Sequence, residues 1–215
     1  MKIPPNSKLL MIGDSITDCG RAYPVAEGPG DVLGTGYVSL VNACLTAAQP
    51  GAGIRVVNMG VNGNTVRDLA ARWDSDVIEL KPDWLSIMIG INDVWRQFDG
   101  WPEWESPVDL EEYSQTLDKL IRKTKPLLKG LVLMTPYLIE PNRSDPMRAR
   151  MDEYGAVVKD LAGQYRAILV DTQAAFDEVL TELDPMMLAA DRVHPNLSGH
   201  MILARAFLKA VECSW

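Results

Sequence analysis

The chain of 215 residues has two histidines, His194 and His200, and both fall in the stretch DRVHPNLSGH near its end. Asp191 stands three residues before His194, so a single turn could bring its carboxylate to imidazole Nδ1–H. That contact would fix the tautomer and leave Nε2 free to accept a proton. Pro195 holds the backbone at the head of the last helix. His200 falls inside that helix and reads as a packing or surface residue. A base of this kind needs a nucleophile, and the candidate is Ser15 in GDSITD, placed directly after the apolar run LLMI. A serine there also serves as an ordinary turn residue, and Asp-x-x-His as an ordinary capping turn. Neither motif decides the matter alone.

Acyl transfer to a serine also needs donors aimed at the oxyanion that develops on the carbonyl. Gly63, in NMGVNGNT, can bring its amide N–H close to a ligand with no Cβ in the way. Asn92, in IGINDVW, offers a side-chain NH₂. Each also fits a plain turn or helix cap. Jointly, Ser15, Gly63, Asn92 and the Asp191–His194 pair would stand at the ends of successive strands, around one crevice.

Five short apolar runs supply such strands: Lys8–Ile12, Ile54–Asn58, Trp84–Ile89, Leu131–Thr135 and Ala167–Val170. Each is bounded by Gly, Pro, Asn or Asp, as for parallel strands covered on both faces. Helical patterns lie between them. In DLEEYSQTLDKLIRKTKP, Leu110, Tyr113, Leu117, Leu120, Ile121 and Thr124 share one face, with Asp109 as N-cap and Pro126 ending the pattern. The final helix begins just after Pro195 and is expected to set Ile202, Ala206 and Leu208–Lys209 near one stripe. This alternation predicts an α/β/α sandwich, a single domain over residues 1–215, with a parallel sheet and its first strand near the middle. Irregular stretches at Ala22–Gly36, Phe98–Pro107 and Ile139–Pro146 are the expected pocket walls.

Composition removes several function classes. A formal net charge of −8, with no Lys/Arg block, argues against nucleic acid and against an anionic membrane surface. Cys19, Cys44 and Cys213 are widely spaced with no CxxC, which points to reduced thiols. The N-terminal apolar run is about five residues, short of the roughly 7–15 of a signal-peptide core. A cytoplasmic location is the expectation.

GDSITD, Gly63 in GVNGNT, Asn92 in GIND, and DRVHP resemble, in order, the four sequence blocks of the SGNH (GDSL-type) hydrolases. The stretches GDSITDCGR, GTGYV, NTVRDL, PDWLSIMIGINDVWRQ, VDTQAAF and DRVHPNLSGHMILARAFL are similar to the intracellular acetyl-xylan (acetyl-xylooligosaccharide) esterases within that family. The resemblance implies a flavodoxin-like three-layer sandwich with five parallel strands. It implies Ser15 as nucleophile, His194 as general base and acid, and Asp191 as the group orienting it. The oxyanion hole would comprise the Ser15 N–H, the Gly63 N–H and the Asn92 side chain. The substrate would be an acetylated sugar, with neither cofactor nor metal required, and a homo-oligomer is favoured. Trp101 and Trp104, in QFDGWPEWESP, are candidate glycan contacts, or else they plug a core edge or a subunit contact. Trp215, at the end, would pack on a neighbouring subunit.

Other readings use the same residues. A lipid or thioester hydrolase would want an apolar groove, whereas these loops carry Glu27, Asp31, Asp99, Glu103 and Glu105. A glycan-binding module without catalysis would have no need for the Asp191–His194 pair. Nucleotide binding lacks both GxGxxG and GxxxxGK[ST]. A cation among Asp14, Asp18, Asp191 and His194 lacks any HxH, HExxH or CxxC spacing.

Overall fold

A computed structural model describes residues 1–28, 30–99 and 106–213. Trp101, Trp104 and Trp215 lie outside these residues. The strands are β1 (Lys8–Gly13), β2 (Ala26–Glu27), β3 (Arg55–Gly60), β4 (Trp84–Met88), β5 (Gly130–Met134) and β6 (Ile168–Val170). They form one sheet in the order β2-β3-β1-β4-β5-β6, so β1 does lie near the middle. All pairs are parallel except β2 with β3, which is antiparallel. This is one strand more than the five expected. The addition is a two-residue edge strand inside Ala22–Gly36, too short to show any periodicity, and it exists only because Ala26 and Glu27 meet Asn58 and Val57.

Among the described residues eight α-helices cover both faces: α1 (Ser15–Asp18), α2 (Tyr37–Ala48), α3 (Val66–Ala71), α4 (Ile91–Trp95), α5 (Leu110–Thr124), α6 (Pro146–Tyr165), α7 (Thr172–Val179) and α8 (Leu197–Ala210). Helices α2 and α7 pack on α8, while α3 and α6 pack on α5, giving the three layers. Helix α5 follows its pattern: Asp109 accepts the Glu112 N–H at 2.8 Å, and Tyr113, Leu117, Leu120, Ile121 and Thr124 are buried. The stripe expected for α8 is displaced. His200, Leu203, Ala204, Phe207 and Leu208 are buried, whereas Ile202 and Ala206 are half-buried and Lys209 is exposed. The true stripe follows the i, i+3, i+4 rule from His200, a polar residue that a search for apolar positions passes over.

The register sets Gly13 of β1 level with Gly60 of β3 and Met88 of β4. The segments that leave these three strands therefore start side by side. Helix α1 folds back tightly over two of them. A Cβ at Gly60 would stand 2.0 Å from the Asp18 nitrogen, and one at Gly13 would stand 2.4 Å from Thr17 Oγ1. Glycine at both strand ends is what lets α1 approach. Asn58, fully buried, then fastens α1 by donating from Nδ2 to the Thr17 and Leu33 carbonyls at 2.7 and 2.9 Å.

Candidate active site

Ser15 is the first residue of α1. Asp14, with extended backbone, caps that helix by accepting the Ile16 N–H at 3.0 Å. The Ser15 hydroxyl is thus placed at the sheet's carboxyl edge, and its own N–H belongs to the helix's first turn, which has no intrahelical acceptor. Its Oγ lies 2.9 Å from His194 Nε2, a residue 179 positions away. His194 Nδ1 lies 2.6 Å from Asp191 Oδ2, and Asp191 Oδ1 accepts the Val193 and His194 N–H groups at 2.9 and 2.8 Å. Partial burial works against the Asp191 charge, but these hydrogen bonds outweigh it and hold the carboxyl below the usual carboxylate range. A carboxylate donating no proton at Oδ2 requires the hydrogen on His194 Nδ1, so Nε2 is left as an acceptor facing the serine.

Ser15, Gly63, Asn92 and His194 line one cleft of about 530 Å³, together with Ile16, Cys19, Asn62, Trp95, Pro195 and His200. Gly63 has φ of 75°, a left-handed conformation that favours glycine. Asn92 spends one amide hydrogen on the Asn64 carbonyl at 3.0 Å, which fixes the side chain and leaves the second available. Arg72 ties the strand ends beneath the cleft, donating to the carbonyls of Gly13 and Met59 at 2.9 and 2.8 Å and to Asn64 Oδ1 at 2.6 Å.

The structure thus brings Ser15, Gly63, Asn92, Asp191 and His194 together. Of the stretches expected as pocket walls, Ala22–Gly36 and Ile139–Pro146 contribute no described residue to this cleft, Arg143 of Ile139–Pro146 lines a second one, and most of Phe98–Pro107 lies outside the described residues. The short segments that directly follow β1, β3 and β4 line the cleft instead, with His194, Pro195 and His200 from the start of α8 and the residues before it. Asp14 and Asp18 are also accounted for locally, Asp14 as helix cap and Asp18 accepting the Gly20 and Arg21 N–H groups and the Tyr23 hydroxyl.

Beyond Ser15, Gly63, Asn92 and His194, the lining residues were not chosen as site residues from the sequence; three of them, Trp95, Cys19 and His200, gather at the two histidines. Trp95 sits one turn beyond Asn92, its ring centroid 5.7 Å from that of His194. Cys19 sits one turn beyond Ser15, its Sγ 3.4 Å from His200 Nε2. His200 Nδ1 accepts the Tyr37 N–H at 3.2 Å, so its remaining hydrogen is on Nε2, and burial pushes its pKa down to about 4, with the nearby His194 adding to the effect. The signal for Trp95 and Cys19 was helical spacing from a residue already chosen, but α1 and α4 have only four and five residues. Runs that short show no period.

Residues 11–202 match the family model of the GDSL-like lipase/acylhydrolases. The chain is 60% identical over its full length to an acetylxylan esterase of Geobacillus stearothermophilus, covering 98% of that protein. The crystal structure of that esterase, Axe2, superposes with a TM-score of 0.98 over 100% of this chain, and the solved forms include catalytic mutants in which a serine, a histidine or an aspartate is replaced by alanine. The crystal structure of LAE5, an alpha/beta hydrolase enzyme from the metagenome of Lake Arreo, is 53% identical with a TM-score of 0.97, over 99% of this chain and 98% of that one. Four motifs in order, one crevice that gathers them and a family match across most of the residues lead to one assignment: the chain belongs to the GDSL-like lipase/acylhydrolase family.

Proposed function

We propose that the protein is a serine esterase that removes O-acetyl groups from acetylated xylo-oligosaccharides or closely related acetylated sugars. The observation that carries this reading is the continuous chain Asp191–His194–Ser15, at 2.6 and 2.9 Å, opening into a cleft that also holds Gly63 and Asn92. The full-length likeness to an acetylxylan esterase supplies the substrate class.

Ser15 Oγ attacks the acetyl carbonyl as His194 Nε2 takes its proton. The oxyanion is held by the Ser15 and Gly63 amides and by the second Asn92 hydrogen. Collapse breaks the bond to the sugar oxygen, which leaves with the proton from His194, and acetyl-Ser15 remains. Water then attacks with His194 again as base, Ser15 Oγ departs with the proton, and acetate is freed. Asp191 keeps the imidazole oriented and stabilises the imidazolium in both halves. No helix among the described residues is long and apolar enough to cross a membrane. A cytoplasmic location with reduced thiols and assembly into a homo-oligomer complete the proposal.

The test is acetate release from acetylated xylo-oligosaccharides by the wild type and by Ser15→Ala. The expected loss is on the order of 10⁶-fold in kcat, the size met when one member of such a triad is removed. Release by neither protein, with Ser15-dependent cleavage of short aryl esters retained, would keep the esterase and discard the xylan substrate.

A further inference from the structure

Three residues of α4 and its C-terminal turn reach back to the segment that carries Gly63. Arg96 Nη2 donates to the Gly63 carbonyl, Asn92 Nδ2 to the Asn64 carbonyl, and Asp93 Oδ1 accepts the Val66 N–H at 2.9 Å. The Asp93 contact differs in kind. Asp93 is 1% exposed, and its Oδ2 is buried with no hydrogen-bond partner. A carboxyl with an orphaned oxygen in the core is costly, and a plain apolar residue would spare that cost. Its one bond therefore merits a reason. Val66 opens α3, so its N–H is among those the helix cannot satisfy itself.

We infer that Asp93 is a positioning residue of the oxyanion hole, a buried pin that sets the 63–66 segment against α4 and so fixes Gly63 and Asn92 relative to each other. The inference rests on the serine-esterase reading above and deepens it. Two donors on different loops serve one oxygen only if both lie about 2.7–3.1 Å from where that oxygen will be. Asn92 is adjacent to Asp93 in the chain, and Gly63 lies three residues before Val66, so this buried bond spans the gap between them, beside the less buried contacts of Arg96 to Gly63 and Asn92 to Asn64. Burial pushes the Asp93 carboxyl up to about 7, helped by Asp68 of α3 and opposed by the Val66 N–H and Arg96. Asp14, Tyr113 of α5 and Tyr154 of α6 also feel its charge.

The experiment measures kcat and KM for Ser15-dependent acetyl release in Asp93→Ala and Asp93→Asn, alone and with Asn92→Ala. Asp93→Ala should lower kcat by about 10- to 100-fold, as a misplacement near 1 Å does, and leave KM in place. Asp93→Asn keeps an oxygen for the Val66 N–H and should restore most of the loss. In the Asn92→Ala background, Asp93→Ala should cost markedly less, because part of what it aligns is already gone. Val66→Pro cuts the same bond from the other side at a helix position that tolerates proline, and serves if Asp93→Ala does not fold. A kcat untouched by Asp93→Ala or Val66→Pro, equal losses in the Asn and Ala variants, or full additivity with Asn92→Ala would each overturn the pin. Activity that survives Ser15→Ala would instead overturn the serine mechanism itself.

Discussion

Two of the clefts at the carboxyl edge of the sheet use their polar groups in opposite ways. One, of about 530 Å³, lies over β1, β3 and β4 and holds Ser15 and His194. The other, of about 350 Å³, lies beyond β5 and β6 between α6 and α7 and is lined by Arg143, Arg148, Lys159, Asp152, Asp171 and Asp177, among others. The second carries more formal charge, yet its groups are committed to each other. Arg148, 1% exposed, pairs with Asp152 and Asp177 at 3.0 and 2.8 Å; Arg143 also reaches Asp177, and Lys159 meets Asp171 at 2.6 Å. Burial disfavours the Asp177 charge, but the Arg148 and Gln173 hydrogen bonds and the neighbouring arginines outweigh it, so its carboxyl stays below the usual range. In the first cleft the polar groups are aligned in sequence toward one point, with the Ser15 hydroxyl and one Asn92 hydrogen turned to the opening. Charge density at a strand edge therefore does not mark the proposed site. Hydrogen-bonding capacity left pointing into the cleft does.

That contrast can be broken in three places. The largest effect is expected in the second cleft: Asp177→Ala leaves the buried Arg148 guanidinium short of a carboxylate partner and should cost about 3–5 kcal/mol of stability. Denaturant melts would show it, while kcat per folded molecule stays at the wild-type level; a fall in kcat at unchanged stability would give that cleft a part in the chemistry. In the first cleft the ordering reverses. Asn92→Ala should depress kcat by about 10²–10³-fold, or roughly 2.7–4 kcal/mol of barrier, with KM little changed. An unaltered kcat would remove Asn92 from the site.

The last effect, absent at neutral pH, concerns His200, the buried imidazole at the wall of the first cleft. Its folded pKa of about 4 lies below the unfolded 6.5, so the unfolded chain binds the extra proton first as pH falls. The stability it permits is whole above pH 6.5 and declines by about 1.4 kcal/mol per pH unit down to about 4. Asp14 and Asp93, both pushed up to about 7 by burial, act in the opposite sense, since the folded chain holds their protons while the unfolded chain loses them. The difference in stability between wild type and His200→Phe isolates the histidine. It should shrink across that window, and a flat difference would refute the assignment.

Ser15, Gly63, Asn92, Asp191 and His194 were legible because each carries a local signal. Ser15 follows an apolar run, Gly63 and Asn92 sit in turn sequences after two others, and Asp191 and His194 have the spacing of one turn. The five long strands were legible for the same reason, as apolar runs with turn residues at their ends. Of the second cleft only the irregular stretch Ile139–Pro146, which holds Arg143, was expected as a wall. Arg148 and Asp177 are 29 residues apart and on different helices, and nothing in either neighbourhood shows that they pair.

By itself, then, the sequence determined the order of strands and helices, the chemical types at the strand ends and the family they resemble. These depend on periodicity and turn chemistry within a few residues. Only the tertiary structure decided that Trp95 faces His194, that His200 is a core residue paired with Cys19, that Ala26–Glu27 joins the sheet and that Asp93 reaches Val66. The physical reason is that each of these contacts needs a partner far along the chain. Its energy comes from burial and close approach, which no local pattern records.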